Sequence, residues 1–336
     1  MAAPSPPLLA LVGPTAGGKH AVAIPVALAI GAEIVSMDSM KVYRGMEIGS
    51  AMPSESDLAR VPHHLLRILD PWESYSAARF VEDAGRIVSE IRARNRRPML
   101  VGGTLLYLKA FLHGLFRGPS ADPALRAALE AEAKAHGVES LYEQLRRADP
   151  ETARRLHRND QRRVIRALEV FRKTGIPISR LQAGSFKAPP REACVLVALR
   201  RERADQVRRI EKRVDAMLHA GLVEEVRRLL AHPRGMSREA LQGHGYKELV
   251  PFLEGRETLA QAREAIIRNT KTYSRKQMTW LRGFGERVRW VDIAPGEPAD
   301  AVASRVIGIF LGAEHPEPRG SAAEHAPGQP GTPPPQ

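Results

Sequence analysis

The hydrophobic positions of the first 118 residues fall into short apolar runs that alternate with longer amphipathic stretches. The apolar runs predict buried strands at 8–12, 33–37, 65–69 and 98–102. The amphipathic stretches predict helices at 18–30, about 76–95 and about 104–114. Strands that alternate with helices in this way are typical of a parallel sheet with helices on both faces, so we predict an α/β fold.

The pattern changes after this region. Between residues 122 and 181 the apolar positions recur with helical spacing and predict no strand. An apolar run returns at 193–199, helices follow to about residue 281, and a last strand is predicted at 288–291. The simplest arrangement is a parallel-sheet core that is interrupted by an all-helical insertion.

These patterns divide the chain into three parts. The catalytic core is predicted at 1–118 and 192–313, and the helical insertion domain at 119–191. Residues 314–336 are mainly Pro, Gly, Glu and Ala, a composition that predicts a disordered tail.

The first apolar run leads directly into a glycine-rich turn that ends in Gly-Lys. Its residues are Gly13, Pro14, Thr15, Ala16, Gly17, Gly18, Lys19 and His20. A strand, a glycine-rich turn and a helix form the layout of a P-loop, in which backbone N–H groups and a lysine bind phosphate. We therefore predict that these eight residues bind phosphate or diphosphate. The pattern normally closes with Ser or Thr, which holds Mg²⁺, so His20 leaves the metal ligand unknown.

The net charge of +13 is concentrated in three segments, 154–173, 200–213 and 268–282. On two predicted helices the cations lie on one face, opposite apolar residues: Arg162, Arg166 and Lys173, then Arg268, Lys271, Arg275 and Arg282. Such stripes predict a surface for a polyanion, nucleic acid before membrane, although solvated helix faces are the alternative. The single cysteine, Cys194, excludes a disulfide framework and a cysteine-based zinc module.

No signal peptide and no membrane span are predicted, so we expect a cytoplasmic protein without a membrane partner.

Two further polar residues follow predicted strands. Asp38 comes after the second strand, where an α/β sheet places a base or a metal ligand. Thr104 follows Gly102-Gly103 after the fourth strand and offers a hydroxyl, with a helix N-cap as its alternative role. Three strand ends thus offer an anion-binding loop, a carboxylate and a hydroxyl.

Several stretches in order resemble the tRNA isopentenyltransferase family, the tRNA dimethylallyltransferases, in its bacterial form. The resemblance covers about residues 8 to 282. It rests on the phosphate loop, Asp38 to Gly49, Val61 to Leu65, Gly102-Gly103-Thr104 with Tyr107 and Lys109, Ala121-Asp122-Pro123, Arg163 to Val170, Gly245-Tyr246-Lys247 and Gln277 to Trp280.

The resemblance implies transfer of a dimethylallyl group from dimethylallyl diphosphate to N6 of adenosine 37 of tRNA, just 3′ of the anticodon. Asp38 is then expected to accept the proton of the amine, and Thr104 to lie near the departing oxygen. An arginine of the pattern Arg203, Arg209, Arg213 is expected to hold the diphosphate, with Arg203 favoured. Mg²⁺ is the implied cofactor, and we expect a monomer.

The same correspondence implies a set of residues that face the anticodon stem-loop of tRNA. They are Asp38, Ser39, Met40, Lys41, Thr104, Arg126, Arg162, Arg163, Val164, Ile165, Arg166, Gly245, Tyr246, Lys247, Arg275, Lys276 and Gln277.

Some residues depart from the family pattern, among them His20 in place of Ser or Thr and Gln206 in place of Leu. These departures keep one alternative open, a catalytically impaired homologue that binds tRNA. The phosphate loop keeps a second one open, a P-loop small-molecule kinase, although such an enzyme usually has the Ser or Thr that His20 replaces. His63-His64 stands beside a predicted strand without a third ligand at suitable spacing, and is interpreted as structural.

Overall fold

The computed structural model describes residues 7–116, 118–183 and 189–314, so most of the predicted tail, from residue 315 onward, lies outside the described residues. The strands are β1 (Leu8–Val12), β2 (Ala32–Met37), β3 (His63–His64), β4 (Arg97–Gly102), β5 (Cys194–Arg201) and β6 (Val288–Ile293). They form one sheet in the order β3-β2-β4-β1-β5-β6, and every neighbouring pair is parallel. The predicted α/β fold with a parallel sheet is therefore confirmed.

Fifteen helices surround or extend this sheet within the described residues. They are α1 (Lys19–Ile30), α2 (Glu47–Ser50), α3 (Glu55–Arg60), α4 (Ala77–Ala93), α5 (Leu105–His113), α6 (Pro123–Ala148), α7 (Pro150–Arg155), α8 (Gln161–Thr174), α9 (Ile178–Gln182), α10 (Arg203–His219), α11 (Leu222–Ala231), α12 (Arg238–Leu241), α13 (Tyr246–Leu253), α14 (Leu259–Arg282) and α15 (Ala299–Glu314).

The predicted strand at 65–69 is wrong. The edge strand β3 is the dipeptide His63–His64, which pairs with Ile34 and Val35 of β2. It ends there because Leu65 and Arg67 have left-handed backbone conformations, with φ of 61° and 51°, which extended pairing does not allow. The His63-His64 pair, which was expected to stand beside a strand, is itself this edge strand.

The sheet is covered on both faces, which explains why its strands appear in the sequence as continuous apolar runs. In β1, Leu8, Ala10 and Val12 point into one hydrophobic core. Leu9 and Leu11 point into a second core beneath the opposite face. Helices α6 to α9 enclose a separate core, in which Leu129, Leu141, Leu145, Val164 and Leu168 are buried.

The strand order places three strand ends side by side. Val12 and Met37 are both in register with Gly102, from opposite sides of β4. In parallel strands the carboxyl ends lie at the same edge, so the residues that follow β1, β2 and β4 meet there. Among the described residues, no helix is long and apolar enough to span a membrane.

Candidate active site

The loop between β1 and α1 has the backbone of an anion-binding turn. Ala16 and Gly18 are left-handed, with φ of 59° and 93°, and the N–H of Gly17 donates to the carbonyl of Pro14 at 3.1 Å. Alternation of right- and left-handed residues turns successive N–H groups into one concavity, and α1 begins directly behind it. The local geometry therefore suits a phosphate group at the helix N-terminus.

Side chains engage five successive carbonyl groups of this loop. Lys19 Nζ donates to the carbonyls of Gly13 and Pro14 at 2.9 and 2.8 Å. Donors from β5 and α10 hold the next three: Gln206 Nε2 on Thr15, Arg209 Nε on Ala16 at 2.9 Å and Arg201 Nε on Gly17 at 3.1 Å. With their carbonyl oxygens engaged by these donors, the loop peptides repel a bound anion less.

Asp38 lies among three cationic groups at the end of β2. Burial lowers the pKa of Lys19 to about 7, partly offset by the negative charge of Asp38, while Arg213 and Lys41 lower it further. Burial also lowers the pKa of Lys41, and Asp38 again acts in the opposite direction. Asp38 thus stabilises the charged forms of Lys19 and Lys41. A bound diphosphate would stabilise the same charged forms.

The carboxylate of Asp38 is fixed by the chain that follows it. Its Oδ1 accepts hydrogen bonds from the backbone N–H groups of Met40 and Lys41, at 2.9 and 3.4 Å. The Thr104 hydroxyl oxygen accepts from the N–H of Ser39 at 3.1 Å. Thr104 stands at the N-cap of α5 without a capping hydrogen bond from its side chain, so its hydroxyl faces the Asp38 segment.

Tyr273 of α14 is a site residue that the sequence reasoning missed. Burial raises the pKa of its phenol to about 12, and the negative charge of Asp38 contributes in the same direction. Hydrogen bonds to Thr104 and Gln277 act against this rise. Tyr273 stays protonated at neutral pH and lies beside both strand-end groups. Its position within a long amphipathic helix gave no sequence signal.

His20 closes the loop but points toward helix α3. Its Nε2 lies 3.2 Å from Oδ2 of Asp57, and its ring centroid is 5.6 Å from that of His63. Burial, with a contribution from Lys41, lowers the pKa of His20, whereas Asp57 raises it. An imidazole nitrogen that is already engaged by a carboxylate does not fit Mg²⁺, which prefers oxygen ligands.

The three candidate arginines for the diphosphate differ in their surroundings. Arg203 is exposed at the first turn of α10. Arg201 and Arg209 instead contact the loop carbonyls, and Arg213 interacts electrostatically with Asp38 and Lys19. The family resemblance favoured Arg203, but the sequence does not show which turn of α10 faces the loop. Arg213, one of the two alternatives, is the candidate whose charge interacts with both Lys19 and Asp38.

The candidate tRNA residues of the insertion divide into two groups. Arg162 and Arg163 are exposed on α8, whereas the side chains of Val164 and Ile165 are buried in the core of the insertion. Glu169, fully buried, accepts from Arg126 at 2.9 and 3.0 Å and from Arg166 at 2.5 Å. All six candidates of the insertion were expected to face tRNA, but only Arg162 and Arg163 are exposed, while Arg126 and Arg166 are half-buried.

The candidate tRNA residues near the carboxyl end of the chain also divide into exposed and buried ones. Arg275 and Lys276 are exposed on α14. Tyr246 is buried, and its hydroxyl donates to Glu225 Oε1 at 2.7 Å. Gln277 is only 5% exposed and lies between the phosphate loop and the Thr104 turn. Burial therefore gives Tyr246 and Gln277 internal roles, beneath the surface that their neighbours form.

Comparison with known proteins identifies the family. The IPP transferase family model matches residues 41–284, and the isopentenyl transferase model matches residues 6–67. The chain is 46% identical over 304 residues to a tRNA dimethylallyltransferase of Desulforudis audaxviator, covering 90% of this chain and 97% of the relative. It is 44% identical over 285 residues to that of Geobacter sulfurreducens, covering 85% and 91%.

Solved structures agree with this assignment. A full-length tRNA isopentenylpyrophosphate transferase from Bacillus halodurans aligns with a TM-score of 0.65 and 36% identity, covering 91% of this chain and 97% of that one. A eukaryotic dimethylallyltransferase acting on tRNA aligns with a TM-score of 0.75 and 25% identity, covering 90% and 77%. The two family models together span residues 6–284, which include the phosphate loop, Asp38 and Thr104, and the chain belongs to the tRNA isopentenyltransferase family.

Proposed function

We propose that this chain transfers the dimethylallyl group of dimethylallyl diphosphate to N6 of adenosine 37 of tRNA and releases diphosphate. The observation that carries the proposal is the meeting of an anion-binding loop, the Asp38 carboxylate and the Thr104 hydroxyl at three adjacent strand ends. A phosphate loop alone suits many reactions. A carboxylate beside the loop can accept a proton, and a hydroxyl beside it can donate a hydrogen bond to the departing oxygen.

Asp38 is the proposed base. The exocyclic amine of adenine is a weak nucleophile, because its lone pair is delocalised into the ring. Its nitrogen forms a bond to C1 of the dimethylallyl group while the bond between C1 and the diphosphate oxygen breaks, and the amine proton passes to the Asp38 carboxylate. Asp38 Oδ1 is held by the N–H groups of Met40 and Lys41, which fixes the carboxylate for this transfer.

The departing diphosphate carries the electron pair of the broken bond. The loop N–H groups, Lys19 and Arg213 offer preorganised positive charge for it, and Thr104 offers a hydroxyl near the Asp38 segment. Lys19 now donates to the loop carbonyls of Gly13 and Pro14, and we propose that it turns to the diphosphate when this anion binds. Arg201 and Arg209 stabilise the loop conformation, because they donate to the carbonyls of Gly17 and Ala16.

Mg²⁺ is the proposed cofactor, since it neutralises diphosphate charge when bound. Asp38 and Thr104 place a carboxylate and a hydroxyl oxygen near the loop, while His20 offers an imidazole that Asp57 already engages. This donor set fits a metal ion that is held largely by diphosphate oxygens and water.

The anticodon stem-loop is proposed to bind across the insertion, α14 and the site between them. Exposed cations on both helices support this placement, with Arg162 and Arg163 on α8 and Arg275 and Lys276 on α14. The proposed division into a core and an insertion domain at 119–191 is supported by the separate hydrophobic core that α6 to α9 enclose. The monomeric state and the cytoplasmic location stay predictions.

Incubation of the purified protein with dimethylallyl diphosphate and unmodified tRNA, followed by mass spectrometry of the nucleosides, tests the proposal. We expect adenosine 37 to gain one dimethylallyl group, dependent on divalent metal. An unmodified nucleoside together with retained tRNA binding would favour the catalytically impaired homologue. Phosphate release from ATP in the absence of tRNA would favour the small-molecule kinase.

A further inference from the structure

Two glutamines hold the peptide groups on either side of Thr15, in the middle of the phosphate loop. The backbone N–H of Thr15 donates to Gln277 Oε1 at 2.8 Å, and the carbonyl of Thr15 accepts from Gln206 Nε2. Gln277 comes from α14 and Gln206 from α10, 262 and 191 residues away in the chain. Thr15 is thus held in both directions by side chains of separate helices.

Both glutamines are nearly inaccessible to solvent. Gln277 is 5% exposed and Gln206 is 8% exposed. A buried amide is costly without hydrogen-bond partners, and Gln277 uses both ends of its amide, since its Nε2 donates to the carbonyl of Gly103 at 2.9 Å. A Cβ atom at position 103 would lie 2.4 Å from this nitrogen, so glycine at 103 allows Gln277 to approach.

The conformation next to Thr15 needs such support. Ala16 has a φ of 59°, a left-handed backbone that costs an alanine about 1 kcal/mol or more. Residues in such conformations persist where the surrounding structure determines them. Gln277 and Gln206 fix the peptides on the amino-terminal side of Ala16, and Arg209 holds its carbonyl at 2.9 Å.

We propose that Gln206 and Gln277 are positioning residues, which hold the left-handed turn at Ala16 so that the loop N–H groups already face the diphosphate before it binds. Gln277 also fixes the distance between this loop and the Thr104 turn, because one amide bridges Thr15 and Gly103. The inference rests on the proposed function, in that it takes the loop as the diphosphate site. It assigns Gln277 an internal role distinct from tRNA contact.

The test measures inorganic diphosphate binding by titration calorimetry, without tRNA, in the parent protein and in Gln206→Leu and Gln277→Leu. Leucine is close in size to glutamine and removes the hydrogen bonds. We expect each variant to bind diphosphate about tenfold or more weakly. In steady-state assays we expect a higher KM for dimethylallyl diphosphate in Gln206→Leu, with the KM for tRNA unchanged.

The matched control is Gln261→Leu on the same helix as Gln277. Gln261 forms a capping box with Thr258 at the exposed start of α14, so its loss weakens the helix end without touching the loop. We expect this control to lower thermal stability but to bind diphosphate like the parent. If both test variants bind diphosphate as tightly as the parent, the positioning role is wrong. If the parent itself binds no diphosphate, the proposed function fails instead.

If Gln277→Leu does not fold, Gln206→Leu still tests the proposal. Gln206→Leu leaves only the Thr15 carbonyl unpaired, whereas Gln277→Leu leaves two backbone groups unpaired. A Gln206→Leu protein that loses stability but keeps its diphosphate affinity and its KM for dimethylallyl diphosphate would overturn the proposal.

Discussion

The imidazole Nε2 of His20 lies 3.2 Å from Oδ2 of Asp57, so the last residue of the phosphate loop is tied to helix α3. We expect His20→Thr to keep or raise the transfer rate, because threonine restores a hydroxyl where phosphate loops usually supply an oxygen ligand. The rate should be measured across Mg²⁺ concentration and pH. A variant that needs more Mg²⁺ than the parent would contradict this expectation.

The pH series separates a second possibility, a cationic contact from His20 to the diphosphate. Burial lowers the pKa of His20, so the imidazole is neutral at pH 7 and above in the free protein. If its charge mattered, the loss of activity in His20→Thr would grow as the pH falls. We expect the ratio of the two rates to stay flat.

Replacement of Asp38 by asparagine tests the proposed base. The asparagine oxygen can still accept from the N–H groups of Met40 and Lys41, so we expect the fold and tRNA affinity to change little. We expect single-turnover transfer to slow by about a hundredfold or more, the lower range for loss of a general base. Asp57→Asn is the matched control, since Asp57 contacts only the loop residue His20 among the proposed site residues, and it should slow transfer far less. Equal rates in Asp38→Asn and the parent would remove Asp38 from the mechanism.

Lys19 makes diphosphate binding depend on pH. Burial lowers its pKa to about 7, so the ammonium group loses its proton as the pH rises through 7 and is largely neutral by pH 8 in the free protein. Bound diphosphate favours the charged form and raises this pKa, so binding at pH 8 takes up a proton and affinity falls as the pH rises from 7 to 9.

Calorimetry in two buffers of different ionisation enthalpy measures this proton uptake. Lys19→Arg is the control, because a guanidinium group stays charged throughout this range and leaves only the titration of the diphosphate itself. Identical proton uptake by the parent and by Lys19→Arg would contradict the assignment to Lys19.

Arg162 is exposed on α8 and is expected to contact the tRNA backbone. Arg162→Gln should weaken tRNA binding and reduce the slope of log K against log salt by about 1. Diphosphate affinity should not change. The control is Arg146→Gln in the same insertion, whose guanidinium is paired with Glu143 at 2.9 Å. If the slope is the same in the parent and in Arg162→Gln, this position is ordinary solvated surface.

Gly49 is required by the packing of Tyr246. A Cβ atom at position 49 would lie 2.5 Å from two ring carbons of Tyr246, whose hydroxyl is held by Glu225. The N–H of Gly49 donates to the same carboxylate at 3.0 Å, so neither partner moves aside easily. We expect Gly49→Ala to lower the free energy of unfolding by about 2–3 kcal/mol, measured in denaturant.

Gly85→Ala is the matched control. Gly85 lies within α4, and a Cβ there meets open space, so alanine should raise stability by about 0.5–1 kcal/mol. A loss of stability in Gly85→Ala, or none in Gly49→Ala, would contradict the packing argument.

The parallel sheet, the phosphate loop and the two polar residues at strand ends, Asp38 and Thr104, could all be predicted from local patterns in the sequence. Buried parallel strands require continuous apolar runs, and a turn that binds phosphate requires glycines and a lysine at fixed spacing. Both features are therefore visible in short stretches of the sequence. The strand at 65–69 failed because left-handed residues at Leu65 and Arg67 interrupt an apolar run, and nothing in the residue types marks such a turn.

Which side chains meet at the site depends on how distant segments of the chain pack together, and this could not be predicted from the sequence. Arg201, Arg209 and Gln206 reach the loop because β5 runs beside β1 and α10 follows it, whereas Arg203 faces solvent one turn away. Tyr273 and Gln277 reach it from α14. A short stretch of sequence thus shows that a loop can bind phosphate. Which arginines and glutamines contact that loop depends on helix orientation, and this orientation is set by packing between distant parts of the chain.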